Sequence, residues 1–163
     1  MNLEAGKQAP ELDGQDEQGN DVWIPALERW TYLWFNPVFG KYGCKDCQSS
    51  LLHEIYPELR MVGCMPYGAT FDPPEVNARR NEVHVWRIPI IQVDRETARE
   101  WEVLRADDDP WSPHAPASVA YLIDPMGVVV EVYKNVDHRR NARDVLDRIN
   151  EAAVNSVRMD GRI

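Results

Sequence analysis

Apolar residues follow two different periods along this chain. Arg29-Trp-Thr-Tyr-Leu-Trp-Phe35 is dense in aromatic and β-branched residues, the pattern of a buried strand, and Asn36-Pro37 ends it. Asp21-Val-Trp-Ile24 reads as a shorter strand, and the Gly/Asp/Gln/Asn-rich stretch Asp13–Asp21 reads as turns. Cys47, Leu51 and Ile55, joined by Leu52, recur at helical spacing and predict a helix over 44–56, with Pro57 kinking or terminating it. Arg60–Met65 reads as a second buried strand and Pro66–Pro74 as a loop. Pro74-Glu75 opens a helix to about Val83, because proline fits the first helical position and an acid suits the first turn.

Val85–Val93 holds a third strand, interrupted by Pro89. Asp94 is placed to cap a short helix through Trp101, and residues 104–116 form a proline-rich loop. Ala117–Ile123 and Val128–Tyr133 are strands joined by the tight turn Asp124-Pro-Met-Gly127. Ala142, Val145, Leu146, Ile149 and Ala153 draw one helical stripe, and the tail frays after Asn155. The resulting order is β, α, β, α, β, α, β, β, α. Such alternation predicts an α/β fold, a central sheet with helices on both faces, and the closing hairpin makes that sheet mixed.

With 163 residues the expected arrangement is a single domain, 1–163. The net charge of -9 and the lack of a Lys/Arg cluster argue against nucleic acid and against anionic membranes. No segment approaches the apolar length of a membrane span, and the first residues lack the apolar core of a signal peptide. Three cysteines are too few for a disulfide-stapled secreted domain. A cytoplasmic protein is expected, either a monomer or a homodimer.

The residues best suited to chemistry are Cys44-Lys45-Asp46-Cys47. The pair follows a strand and a short loop and opens a helix. The free N–H groups and partial positive charge of a helix N-terminus favour a thiolate over a thiol. In that setting Cys44 is the attacking thiol and Cys47, one turn in, the resolving one. Lys41 and Lys45 add positive charge, while Asp46 opposes it. A zinc site would need four ligands, and only His53 and Cys64 are obvious additions to the pair, so no metal and no other cofactor are expected. Cys64, in an apolar stretch, and Trp34 read as core residues.

Several segments, in order, resemble the peroxiredoxin family of the thioredoxin-fold superfamily, and most of all its bacterioferritin-comigratory type. Ala9-Pro10 with Asp16-Glu-Gln-Gly-Asn-Asp-Val22 is similar to that family's opening hairpin. Tyr32-Leu-Trp-Phe-Asn-Pro37 is similar to its strand ending in a proline seven residues before the peroxidatic cysteine. Ile88-Pro-Ile-Ile-Gln-Val-Asp94, Trp101-Glu-Val103 and Val119–Gly127 are similar to its later strand, helix and final hairpin.

The resemblance implies a thioredoxin fold with a peroxiredoxin-like N-terminal hairpin, and a thiol peroxidase. The Cys44 thiolate would attack a peroxide, a second thiol would close a disulfide, and a thioredoxin-like donor would reduce it. Pro37 and Lys41 would line the substrate site. The sequence departs from the family at three places. Lys41 stands where the family has Thr or Ser, and Ser118 where it has an arginine. Lys45, Arg105 or His114 could supply the missing cation. The Cys-x-x-Cys spacing is that of thiol–disulfide reductases, which carry a cis-proline facing the motif. Pro116 is the nearest candidate for it, and protein disulfides are then the alternative substrate. A metal-binding or redox-silent domain on the same fold is a third reading.

Overall fold

The computed structural model describes residues 2–26, 28–35, 56–84, 88–134 and 141–159. Its strands are β1 (Leu12–Gln15), β2 (Asp21–Ile24), β3 (Trp30–Phe35), β4 (Cys64–Thr70), β5 (Ile90–Gln92), β6 (Val119–Ile123) and β7 (Val129–Lys134). The helices are α1 (residues 56–61), α2 (Pro74–His84), α3 (Arg95–Glu100) and α4 (Asn141–Met159). The strands form one seven-stranded sheet in the order β2-β1-β5-β4-β3-β6-β7.

β3, β4 and β5 run parallel, β6 pairs antiparallel with β3 and the edge strand β7 antiparallel with β6, and the β1–β2 hairpin sits at the other edge. This mixed sheet, with a helical crossover between its parallel strands and a closing hairpin, is the expected thioredoxin fold with an N-terminal hairpin.

β3 lies in the middle because both of its faces are apolar. Leu33 and Phe35 point into a cluster with Leu12, Ile24, Ala69, Ile91, Tyr121, Ile123 and, from the α3 side, Ala98 and Trp101. Tyr32 and Trp34 point the other way, into a cluster with Cys64, Leu122, Leu59 of α1, and Val145, Leu146 and Ile149 of α4. Alternate side chains of one strand thus serve two cores, as strand geometry requires. Tyr32 also donates its hydroxyl to Asn141 Oδ1, fixing the start of α4.

Several expected boundaries move. Asp13–Gln15, read as part of a turn region, belong to strand β1, and only the turn beyond it remains. There Asp16 Oδ1 accepts the N–H groups of Gln18 and Asn20, each at 2.9 Å. The helix expected over 44–56 lies, up to residue 55, outside the described residues; residues 56–61 are helical, so Pro57 does not end helical structure there. Leu59 is fully buried and holds this turn against the sheet. Gly63, at φ 76°, then reverses the chain in the left-handed conformation that favours glycine.

The strand expected over 60–65 therefore begins at Cys64 and continues to Thr70, through residues expected to be a loop. Pairing with β3 from Cys64 to Ala69 overrides the turn propensity of Pro66 and Gly68. β5 pairs with β4 only from Gly68 onward, so Pro66 lies where the sheet is locally an edge and a missing N–H is tolerated. The strand expected within 85–93 is β5, which begins directly after Pro89; residues 85–87 lie outside the described residues. α4 extends to Met159, beyond the expected fraying point, yet its buried stripe ends at Ile149, and Ala153 is exposed. Among the described residues no helix is long and apolar enough to cross a membrane.

Candidate functional site

The chain leaves β3 at Phe35 and re-enters the described structure at Tyr56. Pro37, Lys41, Cys44, Lys45, Cys47 and His53 fall between these points and lie outside the described residues. What the structure gives is the frame from which that segment departs. It departs from the C-terminal edge of the parallel strands, where functional groups collect in α/β sheets. At that edge Phe35 pairs with Ala69 of β4 on one side and Val119 of β6 on the other.

The β4 side is closed by a polar network. Thr70 Oγ1 donates to Asn77 Oδ1 at 3.0 Å and accepts the Asp72 N–H at 3.1 Å. Asn77 Nδ2 donates to the Asp72 carbonyl at 3.1 Å. Asn77 and Thr70 are both buried, so these bonds satisfy groups that would otherwise be orphaned, and they pin the start of α2 to the end of β4.

The β6 side is built by the loop after α3. Asp94 Oδ1 caps α3 by accepting the Thr97 N–H at 2.8 Å, as its position predicts, and this bond holds its carboxyl below the usual range. Arg95 Nη1 donates to the Ser112 carbonyl at 2.8 Å. Arg105 Nε donates to the Pro116 carbonyl at 3.1 Å, and its Nη1 meets Asp109 Oδ2 at 3.2 Å. The N–H of Trp111 is the main cause holding the Asp109 carboxyl low, with Arg105 a lesser one. Ala117 N–H donates to the Val103 carbonyl at 2.7 Å. Two arginines and one backbone bond thus fasten a loop rich in prolines.

Ser118, where the resembled family has an arginine, accepts the indole N–H of Trp34 at 3.2 Å. The hydroxyl therefore serves a buried tryptophan. Two residues upstream, the Arg105 guanidinium is held at Pro116, with its side chain 22% exposed. His114 is exposed. The sequence lists Arg105 among several cations; only tertiary contacts single it out. The (i, i+4) spacing of Arg105 and Asp109 is the one local signal that could have flagged it.

Pro116 is buried, but it is not a cis-proline. Among the described residues the cis peptide bond is Ile24–Pro25, and Ala115–Pro116 is trans. The sequence-based expectation for this position is corrected. The local reason is that the Pro116 carbonyl anchors Arg105 and Ala117 pairs with Val103, which fixes the approach to β6.

Cys64 is buried in the core, as expected, and burial pushes its thiol up to about 12, against weaker lowering by a backbone bond from Tyr32 and by Arg60. It is no partner for rapid thiol exchange. Among the described residues no three His, Cys, Asp or Glu side chains converge as a metal site.

Solved peroxiredoxin structures are similar to this architecture. Mycobacterium tuberculosis peroxidoxin BcpB superposes with a TM-score of 0.78 at 17% identity, covering 92% of this chain and 98% of its own. Xanthomonas campestris bacterioferritin comigratory protein, described for its alkyl peroxide reduction activity, gives 0.78 at 18% identity, covering 91% and 99%. A cysteine-to-serine mutant of Xylella fastidiosa PrxQ gives 0.81 at 14% identity, covering 94% and 99%. These likenesses show the fold. Comparison with curated proteins gives no match. The family model described as the AhpC/TSA family matches residues 5–132, from the N-terminal hairpin through β7's central residues. That match takes in β1 to β6 and the Cys44-Lys45-Asp46-Cys47 motif of the sequence, and the chain belongs to the AhpC/TSA family, the peroxiredoxins that its motifs resemble.

Proposed function

We propose that this peroxiredoxin-family enzyme reduces peroxides at Cys44, with Cys47 as the resolving thiol and a thioredoxin-like dithiol as the reductant. The observation that carries the reading is the family match across 5–132, which spans the Cys44-Lys45-Asp46-Cys47 motif in the crossover after β3.

In the first step the Cys44 thiolate attacks one peroxide oxygen. The S–O bond forms as the O–O bond breaks, leaving a sulfenic acid and an alkoxide that takes up a proton. The Cys47 thiolate then displaces hydroxide from the sulfenic sulfur, water leaves, and a disulfide closes. An external dithiol returns both sulfurs to thiols.

Both the thiolate and the departing alkoxide are anionic, so a fixed cation or N–H donor near them lowers the barrier. Lys41 and Lys45 flank Cys44 in sequence. The reading assigns a third cation, Arg105, to the same edge of the sheet, because its guanidinium is fastened where β6 begins beside the end of β3. Pro37 and Lys41 would line the peroxide site, and a cytoplasmic location suits a chain whose cysteines must stay reduced between turnovers. Reduction of protein disulfides by the same pair rests on the Cys-x-x-Cys spacing, and the trans bond at Ala115–Pro116 gives it no cis-proline there.

Stopped-flow tryptophan fluorescence during hydrogen peroxide addition tests the proposal. The expected result is second-order oxidation far faster than that of free cysteine, with a mass loss of two hydrogens, abolished by Cys44→Ser. Oxidation at the rate of a small-molecule thiol would overturn it.

A further inference from the structure

β4 begins at Cys64 but gains its second neighbour, β5, only from Gly68. Its first residues therefore lie before the β5 ladder, at the end of the strand opposite to the C-terminal edge where the chain leaves β3. Met65 there is half-buried, and two donors converge on its sulfur. Arg60 Nη1 lies 3.0 Å from Sδ and Tyr56 Oη lies 3.8 Å from it. Tyr56 and Arg60 are one helical turn apart on α1, so both side chains reach the same point.

A thioether is a weak acceptor, whereas a guanidinium is a strong, permanently charged donor. The arrangement is mismatched for a neutral methionine. It is matched to the oxidised form, because a sulfoxide oxygen is a strongly polar acceptor. Met61 and Met126 provide the contrast: they are 87% and 75% exposed, and among the described residues neither has a donor on its sulfur.

We propose that Met65 is a reversible oxidation site whose sulfoxide is captured by Arg60 and Tyr56. The co-reactant is a hydroperoxide. The thioether sulfur attacks the terminal, proton-bearing peroxide oxygen; the S–O bond forms, the O–O bond breaks, and the proton of the transferred oxygen passes, through water, to the leaving oxygen, which becomes an alcohol or water. Sulfur is oxidised by two electrons and the peroxide is reduced by two. The new oxygen then accepts the Arg60 N–H and the Tyr56 O–H in place of sulfur, and a charge-assisted N–H···O bond joins the end of α1 to the start of β4. A methionine sulfoxide reductase, drawing on a dithiol, would reverse the change. The site is built from residues other than the cysteines and stands whether or not Cys44 reduces peroxide.

The test is a cycle between oxidation and Arg60→Leu, in full-length protein carrying Met61→Leu and Met126→Leu to remove the two exposed sulfurs. Protein is treated with hydrogen peroxide and then with dithiothreitol, which restores oxidised thiols and leaves sulfoxides in place. Fragment-ion mass spectrometry locates the added oxygen, and denaturant unfolding gives the equilibrium constant of each form. Met65 should gain one oxygen, and Arg60→Leu should raise the unfolding constant about tenfold more in the oxidised than in the reduced protein. Equal effects in the two forms would overturn the proposal. So would a Met65 that stays reduced under conditions that fully convert Met61 in the parent protein. Should Arg60→Leu not fold, Arg60→Gln gives the same comparison with a neutral polar side chain.

Discussion

Alkylation of the three cysteines at pH 8 reads the core directly. Cys64 is 1% exposed, and burial pushes its thiol from 9.0 up to about 12. At pH 8 about one molecule in ten thousand then carries the Cys64 thiolate, against roughly a quarter for a free cysteine titrating near 8.5. Ionisation alone therefore slows alkylation by more than about a thousandfold, before any steric exclusion of the reagent. Iodoacetamide labelling followed by intact mass should show Cys64 lagging by at least that factor in native protein, and reacting like an ordinary thiol in guanidinium. The same thiol makes a pH-dependent contribution to stability. Its native-state pKa is raised, so the contribution is fully present below the ordinary thiol value and is lost as pH rises from about 9 through about 12. At about 1.4 kcal/mol per pH unit this amounts to something on the order of 4 kcal/mol. Cys64→Ala should flatten the alkaline limb of the unfolding curve. Three thiols alkylated at comparable native rates, or an alkaline limb unchanged by Cys64→Ala, would refute the reasoning.

The remaining expectations are more local. Leu59→Ala, which removes the side chain that seats α1 against β3 and α4, should cost about 2–5 kcal/mol, whereas Met61→Ala, at an 87% exposed position two residues on, should be close to neutral in thermal unfolding. Gly127→Ala should lower the denaturant midpoint more than Gly19→Ala. Both glycines have φ near 84°, but a Cβ at 127 would lie 2.5 Å from Gln8 Nε2 and one at 19 meets nothing within 4 Å. Arg105→Leu should slow oxidation by peroxide about tenfold to a hundredfold, with Arg105→Lys recovering part of the rate, as measured by stopped-flow fluorescence. Equal rates in all three proteins would remove Arg105 from the reaction.

Apart from β1, the order of elements and the mixed character of the sheet were legible in the sequence. Each of these follows from local periodicity. Trp30–Phe35 alternates between two apolar faces and therefore has to be covered on both sides, and Asp94 and Asp124 sit where a cap and a turn need a carboxylate. The family was also legible, because its spacing signals lie within single elements and their connecting turns.

Tertiary structure decided what depends on a partner remote in sequence. β4 runs through Pro66 and Gly68 because β3 pairs with it, and residues 56–61 stay helical across Pro57 because Leu59 is buried against β3, β6 and α4. Ser118 is occupied by Trp34, 84 residues away, and Arg105 is selected among the available cations by the Pro116 carbonyl and Asp109. Hydrophobic periodicity carries information about a residue's own face of its own element. Which polar group meets which across the sheet is set by register and loop path, and these exist only once the chain has folded.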